Sequence, residues 1–415
     1  MFRNTFIVFA ILFSYTCAFA QKEIEVIEPP YIKSVVLKAH KVNAFVPIIR
    51  LGETIDFSFD DLEGDDKEYT YKINHCTYDW KISNITSTEF STGFTEDRIR
   101  NSENSFNTYQ DYTNYVLRIP NQSFRLKISG NYIISVMNED EEVVFTRRFI
   151  VYQPRVDVGV SIHKARKIAD IDSKQNVEIV INHSDLLINN PSEEIKITLF
   201  QNNDWNNTIT DIKPQFYRGT QLIYKYGEAT NFDGGNEYLY FDSKDVRNAT
   251  NNIRRVFLKD IYETRLYVDQ GRENKPHTHY PDINGNFFIR SINVDNTAFE
   301  SEYTNVHFAL ESYSDIGNGN LYVYGAFNNW QFTDENKLSY NENSKFYETE
   351  ILLKQGFYNY TYVLVNENNE IDFTFEGSHY QTENEYSVIV YYKKFGSKYD
   401  EVIGYGAGSS VNLQN

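Results

Sequence analysis

His277 and His279, in Pro276-His-Thr-His-Tyr280, have the spacing two metal ligands on one face of a strand would use. Only Asp282 follows closely and no third histidine lies nearby, so the pair does not complete a coordination set and no metal is assigned. Cys76 beside His75 offers a nucleophile next to a base. Neighbouring residues of a strand point to opposite faces, however, and the expectation for Cys76 is a small buried hydrophobe. The carboxylate pairs Asp60-Asp61 and Asp65-Asp66 have the chemistry of acid and base, but their polar surroundings read as solvated loops. There is no G-x-S-x-G elbow and no glycine-rich phosphate cradle. The expectation is a protein without catalytic residues, cofactor or small-molecule substrate.

The three tryptophans are the remaining candidates. Trp205 stands in Gln201-Asn-Asn-Asp-Trp-Asn-Asn207, which reads as a polar loop after a strand ending at Phe200. An aromatic in such a loop suits partner contact, so Trp205, with Asn203 and Asp204, forms the candidate partner-binding set. Trp80 follows a strand pattern and is expected in the core. Trp330 closes Tyr324-Gly-Ala-Phe-Asn-Asn-Trp330, where Phe327 and Trp330 could stack on a sugar ring or plug the edge of a sandwich.

The elements that would carry these residues are strands. Ile55, Phe57 and Phe59 alternate with Thr54, Asp56 and Ser58, which is the period of a half-buried strand. The same alternation recurs at Val177, Ile179 and Ile181, at Ile195, Ile197 and Leu199, at Leu321 and Val323, and at Tyr358, Tyr360, Tyr362 and Leu364. Turn-forming clusters such as Asn341-Glu-Asn-Ser344 separate the runs, and no segment keeps a helical apolar period for three turns. Many short alternating strands predict an all-β chain of tandem immunoglobulin-like or E-set β-sandwiches.

Composition bounds the rest. The chain has 415 residues, a net charge of −18 and 16% aromatic residues, which argues against disorder and against binding to phosphate backbones. Residues 1–20 read as a signal peptide: Arg3 is the basic start, Phe6 to Phe13 the apolar centre, and Ala18-Phe-Ala20 the cleavage site. The segment before Cys17, Ser14-Tyr-Thr16, lacks the residues a lipoprotein site needs. The predicted product is therefore exported and not inserted in the membrane, and its remaining cysteine, Cys76, leaves burial alone to hold it together. The expected domains are 21–153, 154–300 and 301–395, with 396–415 a flexible tail because Gly404-Tyr-Gly-Ala-Gly408 is too glycine-rich to pack. Pro154 marks the first boundary.

Two resemblances add to this. The segment from Tyr324 to Val363 resembles the carbohydrate-binding E-set modules attached to glycogen-branching enzymes and kinase β-subunits, which implies a periplasmic or surface glycan-binding protein as the alternative function. More specifically, Cys76-Thr-Tyr-Asp-Trp80, Glu89-Phe-Ser-Thr-Gly93, Gln201-Asn-Asn-Asp-Trp205 with Pro214, Asn231-Phe-Asp-Gly-Gly-Asn-Glu237 and His279-Tyr-Pro-Asp-Ile-Asn-Gly285, in this order, resemble the plug protein family of the Bacteroidetes type IX secretion system. That resemblance runs from Val35 to Tyr399. It implies a non-catalytic periplasmic protein whose partner is the large outer-membrane translocon barrel, and which closes the barrel's periplasmic opening.

Overall fold

The computed structural model describes residues 25–41, 44–292, 294–312, 316–368, 370–373 and 375–413. The expected signal peptide and its cleavage after Ala20 lie outside the described residues. No helix among the described residues is long and apolar enough to cross a membrane.

The N-terminal sandwich packs two sheets. One orders strands Ile32–Ala39, Ile55–Asp61, Thr113–Ile119 and Asn101–Asn104; the other orders Ile48–Arg50, Val143–Tyr152, Gly130–Met137, Thr70–Cys76 and Glu96–Arg98. Alternation explains the first sheet: Ile55, Phe57 and Phe59 point inward and are buried, while Asp56 and Ser58 face outward. Phe59 anchors an aromatic cluster, with ring centroids 5.0 Å from Tyr115, 5.2 Å from Phe145 and 5.4 Å from Tyr69. Such side chains each contribute roughly 1.5–3 kcal/mol on burial, which is what a sandwich without disulfides depends on.

The middle sandwich is assembled from two separated stretches of the chain. One sheet contains Asp157–Lys164, Lys174–Asn182, Gln221–Tyr224 and Phe216–Arg218, with Asn231–Asp233 also paired to Lys174–Asn182. The facing sheet contains Thr208–Thr210 and Ile195–Gln201, followed by Glu385–Tyr392 and Glu401–Ser409. Ile195 lies opposite Tyr392, and Gln201 opposite Tyr386. The third sandwich is therefore an insertion. Its strands run from Leu239–Asp242 to Ile371–Asp372 and share a core of Phe241, Phe308, Leu321, Val323, Tyr358 and Tyr360.

This corrects the expected division at 300 and 395. Strands Leu239–Asp242 and Phe287–Ile289, expected in the middle domain, pair with Gly356–Val365 of the inserted one. Strand Glu385–Tyr392, expected in the third domain, belongs to the middle one. The expected flexible tail is corrected as well, because Glu401–Ser409 is a strand antiparallel to Glu385–Tyr392. Its glycines have a packing reason. A Cβ on Gly404 would lie 2.6 Å from Val156 Cγ2, on Gly406 2.6 Å from Val158 Cγ1, and on Gly408 3.0 Å from Val160 Cγ1. Alternate glycines thus make a smooth stripe against which the valines of the neighbouring strand close.

Candidate functional site

The residues singled out in the sequence meet where the three sandwiches join. In the seam between the N-terminal and middle domains, Trp205 stands edge-on to Trp80, with centroids 5.1 Å apart, and to Phe200 at 4.9 Å. The Arg148 guanidinium lies 5.0 Å from the Trp80 ring and 5.8 Å from that of Trp205. Cys76, Ile133, Ile150, Ile389 and Val402 fill the rest of the seam. Hydrogen bonds fix its register: the Tyr391 hydroxyl donates to Asn131 Oδ1 at 2.9 Å, and the Val402 N–H to Ser129 Oγ at 3.1 Å. Trp80 adopts φ 62° and Asn203 φ 58°, left-handed conformations that persist because the surrounding packing determines them.

The candidate partner-binding residues are placed differently from the expected projecting loop. Trp205 folds back into this seam and does not project from a polar loop. Asp204 is buried, accepting from the Tyr324 hydroxyl at 2.8 Å and from the Asn206 N–H at 2.8 Å. Burial pushes its carboxyl up to about 7 against the effect of these bonds. Asn203 is half-buried and accepts from Ser387 Oγ at 3.3 Å. The indole gains more by covering apolar surface than the loop loses by ordering, because its neighbours satisfy the loop's polar groups.

Of the two alternatives for Trp330, the structure places the ring in the plug position. Trp330 is 4% exposed, with its ring 5.1 Å from Tyr324 and 6.3 Å from Tyr238. Its carbonyl accepts from Asn206 Nδ2 at 2.6 Å, which ties the inserted domain to the loop that carries Trp205. Gly285 has φ 77°, and a Cβ there would lie 2.3 Å from Trp330 Cη2, so the glycine is required by close approach. Phe327 is half-buried against Tyr358, 5.9 Å away. Trp330 presents no open face to a sugar, while Phe327 lines a separate cleft of about 260 Å³. Asn203, Trp205 and Trp330 instead line one cleft of about 420 Å³ among the three domains. Glu25 enters that cleft and accepts from the Arg148 N–H at 2.9 Å and from Asn329 Nδ2 at 3.0 Å.

The seam between the N-terminal and inserted domains was not legible as such. Asp60 and Asp61, expected in a solvated loop, are both 0% exposed at the end of strand Ile55–Asp61. Asp60 Oδ2 accepts from Lys354 Nζ at 2.7 Å and from the Tyr303 hydroxyl at 2.7 Å, while Oδ1 accepts from Asn114 Nδ2 at 2.6 Å. Lys354 also donates to the Ala298 carbonyl at 2.6 Å and sits 4.0 Å from the Tyr112 ring centroid. Burial lowers the lysine's affinity for its proton, and Asp60 opposes that shift. Asp61 lies on the core-facing phase of Phe57 and Phe59, and accepts from the Tyr69 hydroxyl at 2.8 Å. That phase was the available signal.

The crossing into the inserted domain is braced by the histidine pair, and the crossing out of it by Arg272. Pro276 to Tyr280 is not a strand, which corrects the expectation that His277 and His279 share a strand face. His277 Nε2 lies 3.0 Å and His279 Nδ1 3.1 Å from Oε1 of the buried Glu237. Arg272 donates to Glu376 at 2.6 Å and to the Glu237 carbonyl at 2.7 Å. His75 and Cys76 do point apart. His75 packs 5.0 Å from Tyr132, with burial lowering its pKa to about 4, and Cys76 joins the tryptophan seam. The arrangement as a whole is built to hold three domains at fixed angles.

Comparison with known proteins follows the same lines. Residues 32–153, the N-terminal sandwich, match the family model described as type 9 secretion system plug protein, first domain. A crystal structure of a hypothetical protein from Parabacteroides merdae is similar over 94% of this chain and 100% of its own, with 32% identity and a TM-score of 0.89. No curated protein matches the chain. On the match of its first domain, the chain belongs to the type IX secretion system plug protein family.

Proposed function

We propose that this type IX secretion component is a non-catalytic periplasmic cap, which binds the periplasmic opening of the outer-membrane translocon barrel and closes it. The observation that carries the reading, beside family membership, is the joining of the three sandwiches by buried contacts on every side. A pore wide enough for folded cargo leaks unless a stiff body covers it. β-Sandwiches resist deformation, and buried seams leave no free hinge between them. The insertion of one domain within another doubles the covalent connection between them. In this reading Trp205, Asn203 and Asp204 serve the partner indirectly, by holding the middle domain against its two neighbours. Export by the N-terminal leader, with cleavage after Ala20, places the protein on the side of the membrane where the barrel opens.

A pull-down from detergent-solubilised outer membrane with the tagged full chain is expected to recover a very large barrel protein. Recovery of small soluble proteins alone would contradict the proposal. Deleting the gene is expected to admit large antibiotics only while the barrel is present; equal leakiness in cells without the barrel would remove the closing role.

A further inference from the structure

The outer face of the inserted domain carries a basic groove that none of the seams uses. Across four adjacent strands, Arg255 lies opposite Arg265, Arg265 opposite His307, and His307 opposite Glu350. In the next row Phe257 lies opposite Glu263. Arg255 and Arg265 are exposed, with guanidinium carbons 5.3 Å and 5.6 Å from the Phe257 ring centroid. Together with Arg254 and Phe346 they line a cleft of about 730 Å³.

The charge arrangement here is unbalanced. Like charges directly opposite on neighbouring strands are destabilising, and Arg255 and Arg265 are such a pair. The nearby carboxylates do not relieve them. Glu263 is engaged by Lys259 at 3.1 Å and by His307; Glu350 faces His307 Nδ1 at 3.4 Å; Glu348 accepts from Asn341 at 2.7 Å. Among the described residues, Arg254, Arg255 and Arg265 form no ion pair with a carboxylate. They stand so in a chain of net charge −18, where 58 acidic residues face 40 basic ones. The groove also borders an open sheet edge, since strand Ile253–Leu258 pairs only with Tyr262–Leu266 among the described strands.

From this juxtaposition we propose that the groove docks an extended acidic polypeptide segment of a partner. The segment lies along strand Ile253–Leu258, with carboxylates on Arg255 and Arg265 and an apolar side chain over Phe257. Guanidinium forks match carboxylates in two-point geometry, and an edge strand offers the main-chain hydrogen bonds that strand addition uses. An anionic lipid surface is less suited to it, because the arginines line a recess on a sheet face and do not protrude. The inference does not depend on pore closure.

The test uses the full chain and a fluorescent twelve-residue peptide of three Glu-Thr-Val-Thr repeats, which puts Glu and Val alternately on one face, followed by anisotropy. Saturable binding is expected, with at least a tenfold loss in the double variant Arg255→Glu/Arg265→Glu. Arg218→Glu, an exposed site on another domain, should bind as wild type, and a Lys-for-Glu peptide should not bind. If the double variant loses its circular dichroism spectrum, Arg255→Gln alone should still weaken binding severalfold. The proposal is overturned if the Glu peptide does not bind, as for an edge guarded by charge alone, or if it binds the arginine variants equally well. Binding of phosphatidylglycerol vesicles through these arginines without peptide binding would also overturn it, in favour of a lipid.

Discussion

Two seams hold the N-terminal sandwich, and they differ in kind. Against the middle domain the contact is aromatic: Trp80, Trp205 and Phe200 meet edge to face under the Arg148 guanidinium. Against the inserted domain it is ionic, centred on Asp60 with Lys354 and two further donors. Aromatic burial gives energy that tolerates small shifts of angle. A buried ion pair gives little net energy over an apolar replacement, but it penalises every arrangement that leaves one charge unpaired. The difference teaches that the first seam supplies adhesion, while the second fixes orientation.

The largest expected effect comes from breaking the ionic seam on one side. Lys354→Met strands the Asp60 carboxylate and is expected to cost about 3–5 kcal/mol in denaturant unfolding. The double variant Asp60→Asn/Lys354→Met should recover most of that loss. A double variant as unstable as the single one would show that packing, and not charge pairing, governs this seam. Next comes the aromatic seam, where Trp205→Ala should cost about 3 kcal/mol through the cavity it leaves between Trp80 and Phe200. That loss should be the same in low and high salt, and a strong salt dependence would mean the seam is not apolar in character.

A pH-dependent effect tests the contact between the middle and inserted domains, which neither of those seams includes. Burial raises the carboxyls of Asp204 and Asp282 to about 7, so the folded protein holds their protons where the unfolded chain has released them. Their contribution is fully present below the unfolded carboxylate range near 4 and is lost as pH rises through 7, by roughly 1 kcal/mol per pH unit for each group. Asp204→Asn should flatten the part of the stability profile between pH 4 and 7 that belongs to Asp204; an unchanged slope would refute its assignment. The smallest is Tyr391→Phe, expected to cost about 1 kcal/mol by leaving Asn131 Oδ1 without its donor. Differential scanning calorimetry can resolve that shift, and its absence would mean water replaces the hydroxyl.

Much of the local structure was legible from alternation. Val177, Ile179 and Ile181, and likewise Tyr358, Tyr360 and Tyr362, are buried along strands as their period predicts. The aromatic plug formed by Trp330 was one of two readings open for that residue. The partners of the strands were not legible, because a period of two assigns a face and says nothing about which strand lies alongside. Strand Ile195–Gln201 finds its neighbour at Glu385–Tyr392, across the whole inserted domain. The glycine stripe at Gly404, Gly406 and Gly408 misled for a related reason, since its meaning lies in the valines opposite it. The polar neighbours of Trp205 suggest solvent, whereas Asp204 and Asn203 find their partners in Tyr324 and Ser387 of other strands. Asp60 was missed because its burial comes from a second domain whose approach no local pattern records.

If the three joined sandwiches close a pore, the conductance of the purified translocon barrel in a planar bilayer should report it when this protein is added on the periplasmic side. A large open-pore current is expected to fall to the leak of the bare membrane, in proportion to the protein bound. A current that persists unchanged while the protein is demonstrably bound would contradict it.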